Sequence, residues 1–114
     1  MQKYITLKEN TDFNRVYYRG KSSAKPQLVV YVLKNRLGVC RIGITTSKKI
    51  GNAVERNRSR RIIRAAFQSV IKEHNFEGKG YDFVFVARTK TKFLKSTHIE
   101  KAMLECFKDL GVIK

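Results

Sequence analysis

The stretch Lys48-Lys49-Ile50-Gly51-Asn52-Ala53-Val54-Glu55-Arg56-Asn57-Arg58-Ser59-Arg60-Arg61-Ile62-Ile63-Arg64 decides how this chain is read. Seven basic residues stand there against one acid in seventeen positions. A solvated helix face usually alternates signs to gain i, i+4 pairs, whereas this one repels itself. Ile63, Ala66, Phe67, Val70, Ile71 and His74 recur at helical spacing, which predicts a long helix from about Ala53 to Glu73. At about 100° per residue, Arg56 and Arg60 fall on the side of Ile63 and Phe67, and Asn57, Arg61 and Arg64 on the neighbouring polar side. Two arginines cannot continue a dry core, so the first turns must overhang it or line a groove. There the planar guanidinium suits bidentate phosphate contact better than lysine would. The opening turn, Ser47 to Asn52, lacks the spacing of a Walker loop. It leaves two readings: backbone NH groups near Gly51 and Asn52 that hold one phosphate between Lys48 and Lys49, or a capped helix with solvated lysines.

Upstream, Val39 to Thr46 alternates, with Cys40, Ile42 and Ile44 on one face and Arg41, Gly43 and Thr45 on the other. Leu28 to Leu33 is apolar at consecutive positions and reads as a strand covered on both faces. The turn-like Asn35 to Gly38 between them predicts a hairpin. Gly43 in mid-strand marks a bulge or a place where another backbone comes close. Lys21 to Gln27 carries the only proline and reads as a connection or short edge strand. Before it, Phe13, Val16 and Tyr17 form the stripe of a short helix over Thr11 to Arg19, with Asn10 as N-cap and Gly20 as stop. Downstream, Asn75 to Gly80 breaks the long helix, Tyr81 to Arg88 is a further strand, and a basic loop, Thr89 to Lys95, leads to a last helix. Thr97 and Glu100 give that helix a capping-box pattern, Ile99, Ala102, Met103, Cys106, Phe107 and Leu110 its stripe, and Gly111 its end. The order is helix, two or three strands, helix, strand, helix, an α+β class.

One domain over residues 1–114 is expected at this length, with no repeats, linkers or low-complexity tracts. The 25 Lys plus Arg against 9 Asp plus Glu leave a net charge of +16, while 42% hydrophobic residues suffice for a core. The charge therefore belongs on a folded surface and calls for nucleic acid, an anionic membrane or an acidic protein. No apolar run reaches the ~20 residues of a membrane span, and Met1 to Asn10 shows no signal-peptide core, so a cytoplasmic protein is expected. Cys40 and Cys106 sit within apolar patterns and read as buried free thiols.

The nine acids, Glu9, Asp12, Glu55, Glu73, Glu77, Asp82, Glu100, Glu105 and Asp109, form no metal-nuclease cluster. His74 and His98 have no partner at ligand spacing, so neither a catalytic residue nor a metal site is assigned. Phe13 and Tyr17 share one face of the first helix, and Tyr31 lies in the covered strand. Aromatics beside basic residues can stack bases of a single strand without reading sequence; equally, Phe13 can simply anchor its helix. The hydroxyls of Tyr17 and Tyr31 favour a groove-lining place.

Lys48-Lys49-x-Gly51-x-Ala53-Val54-x-Arg56-Asn57-x-x-Arg60-Arg61 resembles the signature of the protein subunit of bacterial ribonuclease P. Helix-borne Phe13, Gly20, Tyr31, Ile42-Gly43-Ile44 and Val86-Ala87-Arg88 extend the resemblance over nearly the whole chain. Thr89 replaces a frequent proline and Tyr17 a frequent phenylalanine. The resemblance implies a single-domain α-β sandwich, a four-stranded sheet with three helices in the order α-β-β-β-α-β-α, and a left-handed crossover where right-handed is the rule. It implies a catalytic RNA partner that uses magnesium, and no cofactor on the protein itself. Lys48, Arg56, Asn57, Arg58, Arg60, Arg61 and Arg64 would then face the catalytic RNA. Phe13, Tyr17, Gln27, Tyr31 and Lys49 would line a cleft for the single-stranded 5′ leader of precursor transfer RNA. No membrane role is implied, and a weak homodimer without RNA is compatible with the reading. The rivals are a structural RNA-binding protein, which needs no leader cleft, and an autonomous metal-dependent nuclease, which would cleave without RNA.

Overall fold

In the computed structural model, which describes residues 4–76 and 78–114, five strands and three α-helices build a three-layer domain. Met1 to Lys3, and Glu77 among the acids considered above, lie outside the described residues. Strand β3 (Leu28–Lys34) shows why two helix layers form. Its alternate residues Leu28, Val30 and Val32 are buried on one face, while Val29, Tyr31 and Leu33 are half-buried on the other. A strand apolar on both sides needs cover on both. Beside it runs β5 (Tyr81–Ala87), antiparallel, with Val30 opposite Phe85 and Tyr31 opposite Val84.

Helices α2 (Ala53–Glu73) and α3 (Ser96–Asp109) share the first face and pack on each other. Their stripes, Ile63, Ala66, Phe67 and Val70 from α2 and Ile99, Ala102, Met103, Cys106 and Phe107 from α3, close over Ile42, Phe83 and Phe85. The Phe83 and Phe107 rings stack at 4.8 Å, and Phe67 lies 5.5 Å from Phe85. Cys40 and Cys106 are buried free thiols, and burial pushes both pKa values up. Helix α1 (Asn10–Arg19) lies alone on the opposite face, packing Phe13, Val16 and Tyr17 against Val84, Tyr31 and Leu33.

Three expectations need correction. The sheet has five strands rather than four: β1 (Tyr4–Thr6) pairs in parallel with β4 (Cys40–Thr45). Three residues are too few to show a period; Tyr4 is fixed instead by edge-on contact with Phe67 and by a hydrogen bond its hydroxyl accepts from Gln68. The hairpin between β3 and β4 does not form, because β5 inserts between them. The order is β1-β4-β5-β3-β2, with β2 (Lys21–Ala24) the antiparallel edge. Strands β4 and β5 run parallel, so α2 is the crossover between them. Finally, α3 starts at Ser96, so Thr97 is helical; the Lys95 NH donates to His98 Nδ1 in place of the expected Thr97–Glu100 box.

Candidate nucleic-acid interface

Gly51 precedes α2 at φ 141°, a conformation open to glycine, and a Cβ there would strike the Glu55 carboxylate. Asn52 then caps the helix. Its side chain accepts from the Glu55 NH at 2.9 Å, and its own NH donates to Glu55 Oε1 at 3.1 Å. The expected phosphate turn is therefore not free: a carboxylate already occupies the positive end of the helix. Lys92 locks the arrangement by pairing with Glu55 at 2.9 Å and donating to the Ile50 carbonyl at 2.6 Å. Lys92, then the Asn52 amide, holds the Glu55 carboxyl below its usual pKa. The lock is thus complete above the ordinary carboxylate range and opens as pH falls through the lowered value.

The same turn sorts the arginines. Arg56 is half-buried and bends back to donate to the Gly51 carbonyl at 2.9 Å, while Arg58 Nε donates to the Lys92 carbonyl at 3.1 Å. Ser59, fully buried, fills the position where the stripe turns inward. Asn57, Arg60, Arg61 and Arg64 are exposed and, with Val54, line a shallow open groove. Arg60, Arg61 and Arg64 make no ion pair among the described residues. Lys48 and Lys49 are exposed on the short helical turn Lys48–Ile50 that leaves β4. Of the seven residues expected on this surface, Arg56 and Arg58 thus also brace the helix start.

On the α1 face, Gly43 provides the seat. A Cβ there would overlap Cε1 and Cζ of Phe13, so the ring lies directly on the strand backbone; the close approach is made by an aromatic side chain rather than by the second backbone expected from the sequence. Tyr17 and Tyr31 meet edge to face at 4.9 Å, and the Tyr17 hydroxyl donates to Thr45 Oγ1 at 3.4 Å. All three aromatics remain half-buried, forming one patch with Val86. Gln27 extends the alternation of Val29 and Tyr31, and its carbonyl accepts from the Thr91 hydroxyl at 2.6 Å. Lys49 is not shown in contact with the aromatics; it stands beyond the Thr45 end of β4. We expect Gly43→Ala to cost about 1–3 kcal/mol in urea unfolding, because the Phe13 ring must move.

The clamp Asp12–Arg41–Asp82, missed in the sequence, seats the start of α1. Arg41 chelates buried Asp82 at 2.9 and 2.6 Å, and its Nη1 lies 3.7 Å from Asp12. The signal was an arginine on the non-core parity of β4 opposite an acid in an apolar strand. Among the described residues, no three His, Cys, Asp or Glu side chains gather as metal ligands.

A mixed sheet with paired helices on one face, a lone helix beside half-buried aromatics on the other, and an exposed arginine ridge defines a basic α+β nucleic-acid-binding domain. The family model Ribonuclease P matches residues 1–111. The ribonuclease P protein component of Clostridium beijerinckii is 42% identical, covering 93% of this chain and 88% of its own; that of Pelotomaculum thermopropionicum is 45% identical, covering 90% and 88%. The solved Staphylococcus aureus RNase P protein superposes with TM-score 0.76 at 38% identity, covering 90% of this chain and 92% of its own. The chain belongs to the ribonuclease P protein family and is the protein component of that endoribonuclease of transfer-RNA processing.

Proposed function

We propose that the whole chain acts as one RNA-binding domain that holds two RNAs at once. The ridge of Asn57, Arg60, Arg61 and Arg64, entered by Lys48 and braced by Arg56 and Arg58, docks the catalytic RNA. Phe13, Tyr17 and Tyr31 stack the single-stranded 5′ leader of precursor transfer RNA, with Gln27 and Lys49 at the ends of the path. The observation that carries this reading is the half-exposed aromatic patch on the sheet face opposite α2: a purely structural RNA-binder needs the ridge but no such patch. The contribution is electrostatic and positional. Leader contacts favour precursor over mature product, phosphate contacts lower the divalent-ion concentration the RNA needs, and the magnesium is held by the RNA. The protein works in the cytoplasm, and without RNA it forms at most a weak homodimer, opposed by its own charge.

Each stacked base is worth ~1–3 kcal/mol. Phe13→Ala or Tyr31→Ala should therefore weaken binding of leader-bearing precursor to the reconstituted holoenzyme about tenfold while mature transfer RNA binding hardly changes. Equal loss for both substrates would remove the cleft from the proposal. No stimulation of 5′ processing at low magnesium would remove the proposed role itself.

A further inference from the structure

The turn after β5 presents an aromatic side chain that the cleft does not use. Phe93 is 76% exposed, and Val54, in the first turn of α2, is 74% exposed. The turn Thr91–Phe93 packs on α2, on the sheet face opposite Phe13 and Tyr17. Its backbone is held on several sides. Buried Thr91 donates to the Gln27 carbonyl at 2.6 Å and accepts from the Arg88 NH at 2.9 Å. Lys92 is fixed by Glu55 and the Ile50 carbonyl, and its own carbonyl accepts from Arg58. A ring on a loose loop loses part of its binding energy to ordering; this one is ordered beforehand.

The surroundings select the ligand. Arg88 to Lys95 contains four basic residues and no acid, and Lys92 Nζ stands 5.2 Å from the Phe93 ring centroid. One flat apolar ring amid cations, adjoining the arginine ridge, is complementary to a polyanion carrying planar bases rather than to an apolar protein groove. We propose that Phe93 is a stacking platform for one unpaired base of the catalytic RNA, separate from the leader cleft and approached along the α2 ridge. This rests on the docking role given to that ridge.

The chain has no tryptophan, so Phe93→Trp installs a sole indole reporter. Emission from that variant should be quenched by a transcribed ribonuclease P RNA and unaffected by a leader oligonucleotide alone. Phe93→Ala, at an exposed side chain, should keep the melting temperature and bind the RNA about tenfold more weakly, with the tyrosine variant restoring affinity. Its preference for precursor over mature transfer RNA should stay at the wild-type value. Wild-type affinity in the alanine variant, or an unquenched indole at saturating RNA, overturns the platform while leaving the ridge intact. Quenching by the leader oligonucleotide, or by raised protein concentration without RNA, overturns it by assigning the ring to substrate or to a second copy. Failure of the wild-type protein to bind the RNA overturns the docking role and the platform together.

Discussion

Asp82→Ala should destabilise the domain by about 3–5 kcal/mol, the cost of leaving one member of a buried ion pair without its partner. Asp82 is 1% exposed, and its carboxylate accepts from Arg41 Nε and Nη2 and, at 2.7 Å, from Asn35 Nδ2. Removing it strands a half-buried guanidinium whose pKa is raised above the ordinary arginine value chiefly by the hydrogen bond to Asp82. Asp12, at 3.7 Å and itself shared with Arg15, is too distant to replace that chelate. For a domain near this size each kcal/mol moves the melting temperature by ~4–8 °C, so a fall of at least about 12 °C should appear by thermal unfolding. Asp12→Ala should cost under about 1 kcal/mol, as a looser and more solvated pair does. A loss below about 1 kcal/mol for Asp82→Ala would show that the clamp is dispensable. The clamp matters functionally because Arg41 ties the start of α1 to the sheet, and α1 carries Phe13 and Tyr17.

What was legible in the sequence followed from periodicity, and what was not depended on partners distant in the chain. The bounds Ala53–Glu73 of α2 were readable because Ile63, Ala66, Phe67, Val70 and Ile71 recur at helical spacing between the polar segments Ser47 to Asn52 and Asn75 to Gly80. β1 was not, since its short Tyr4–Thr6 segment is selected by β4, Phe67 and Gln68. The mistaken hairpin has the same origin: local turn chemistry at Asn35 to Gly38 is real, with Asn35 Oδ1 accepting from the Leu37 NH, but β5 pairs better with both strands and separates them. At the site, composition identified the arginine cluster, yet only the fold distinguishes arginines that face solvent from those that brace the helix start. Glu55 illustrates the limit. As the lone acid among seven bases it looks incidental, whereas it closes the capping box and receives Lys92 from a turn thirty-seven residues away.

That division determines which substitutions report on RNA rather than on folding. Arg60, Arg61 and Arg64 are exposed and make no ion pair among the described residues, so replacing all three with alanine should leave the melting temperature near wild type. Each phosphate neutralised by such a side chain contributes ~0.7–0.9 to the slope of log K against log salt. The triple variant should therefore flatten the slope for catalytic-RNA binding by about 2–3. At ~0.15 M salt the counterion release behind that slope is worth about 1 kcal/mol per phosphate, so affinity should fall on the order of a hundredfold. Arg58→Ala is a poorer probe, because Arg58 also ties α2 to the turn carrying Lys92, and its loss mixes folding with binding. Lys108→Ala, at an exposed position on the last turn of α3, removes one positive charge away from the ridge, a third of the triple variant's change, and should alter affinity by less than twofold. Filter binding of a transcribed ribonuclease P RNA across a salt series separates the outcomes. If Lys108→Ala flattened the slope as much per residue as the triple variant, binding would follow net charge alone and the ridge would have no special role. A steep residual slope in the triple variant, with affinity restored at low salt, would show instead that the ridge supplies a located part of a wider electrostatic contact. Among the described residues these three arginines make no ion pair, which favours a located contribution, since no such pair must be broken when RNA arrives.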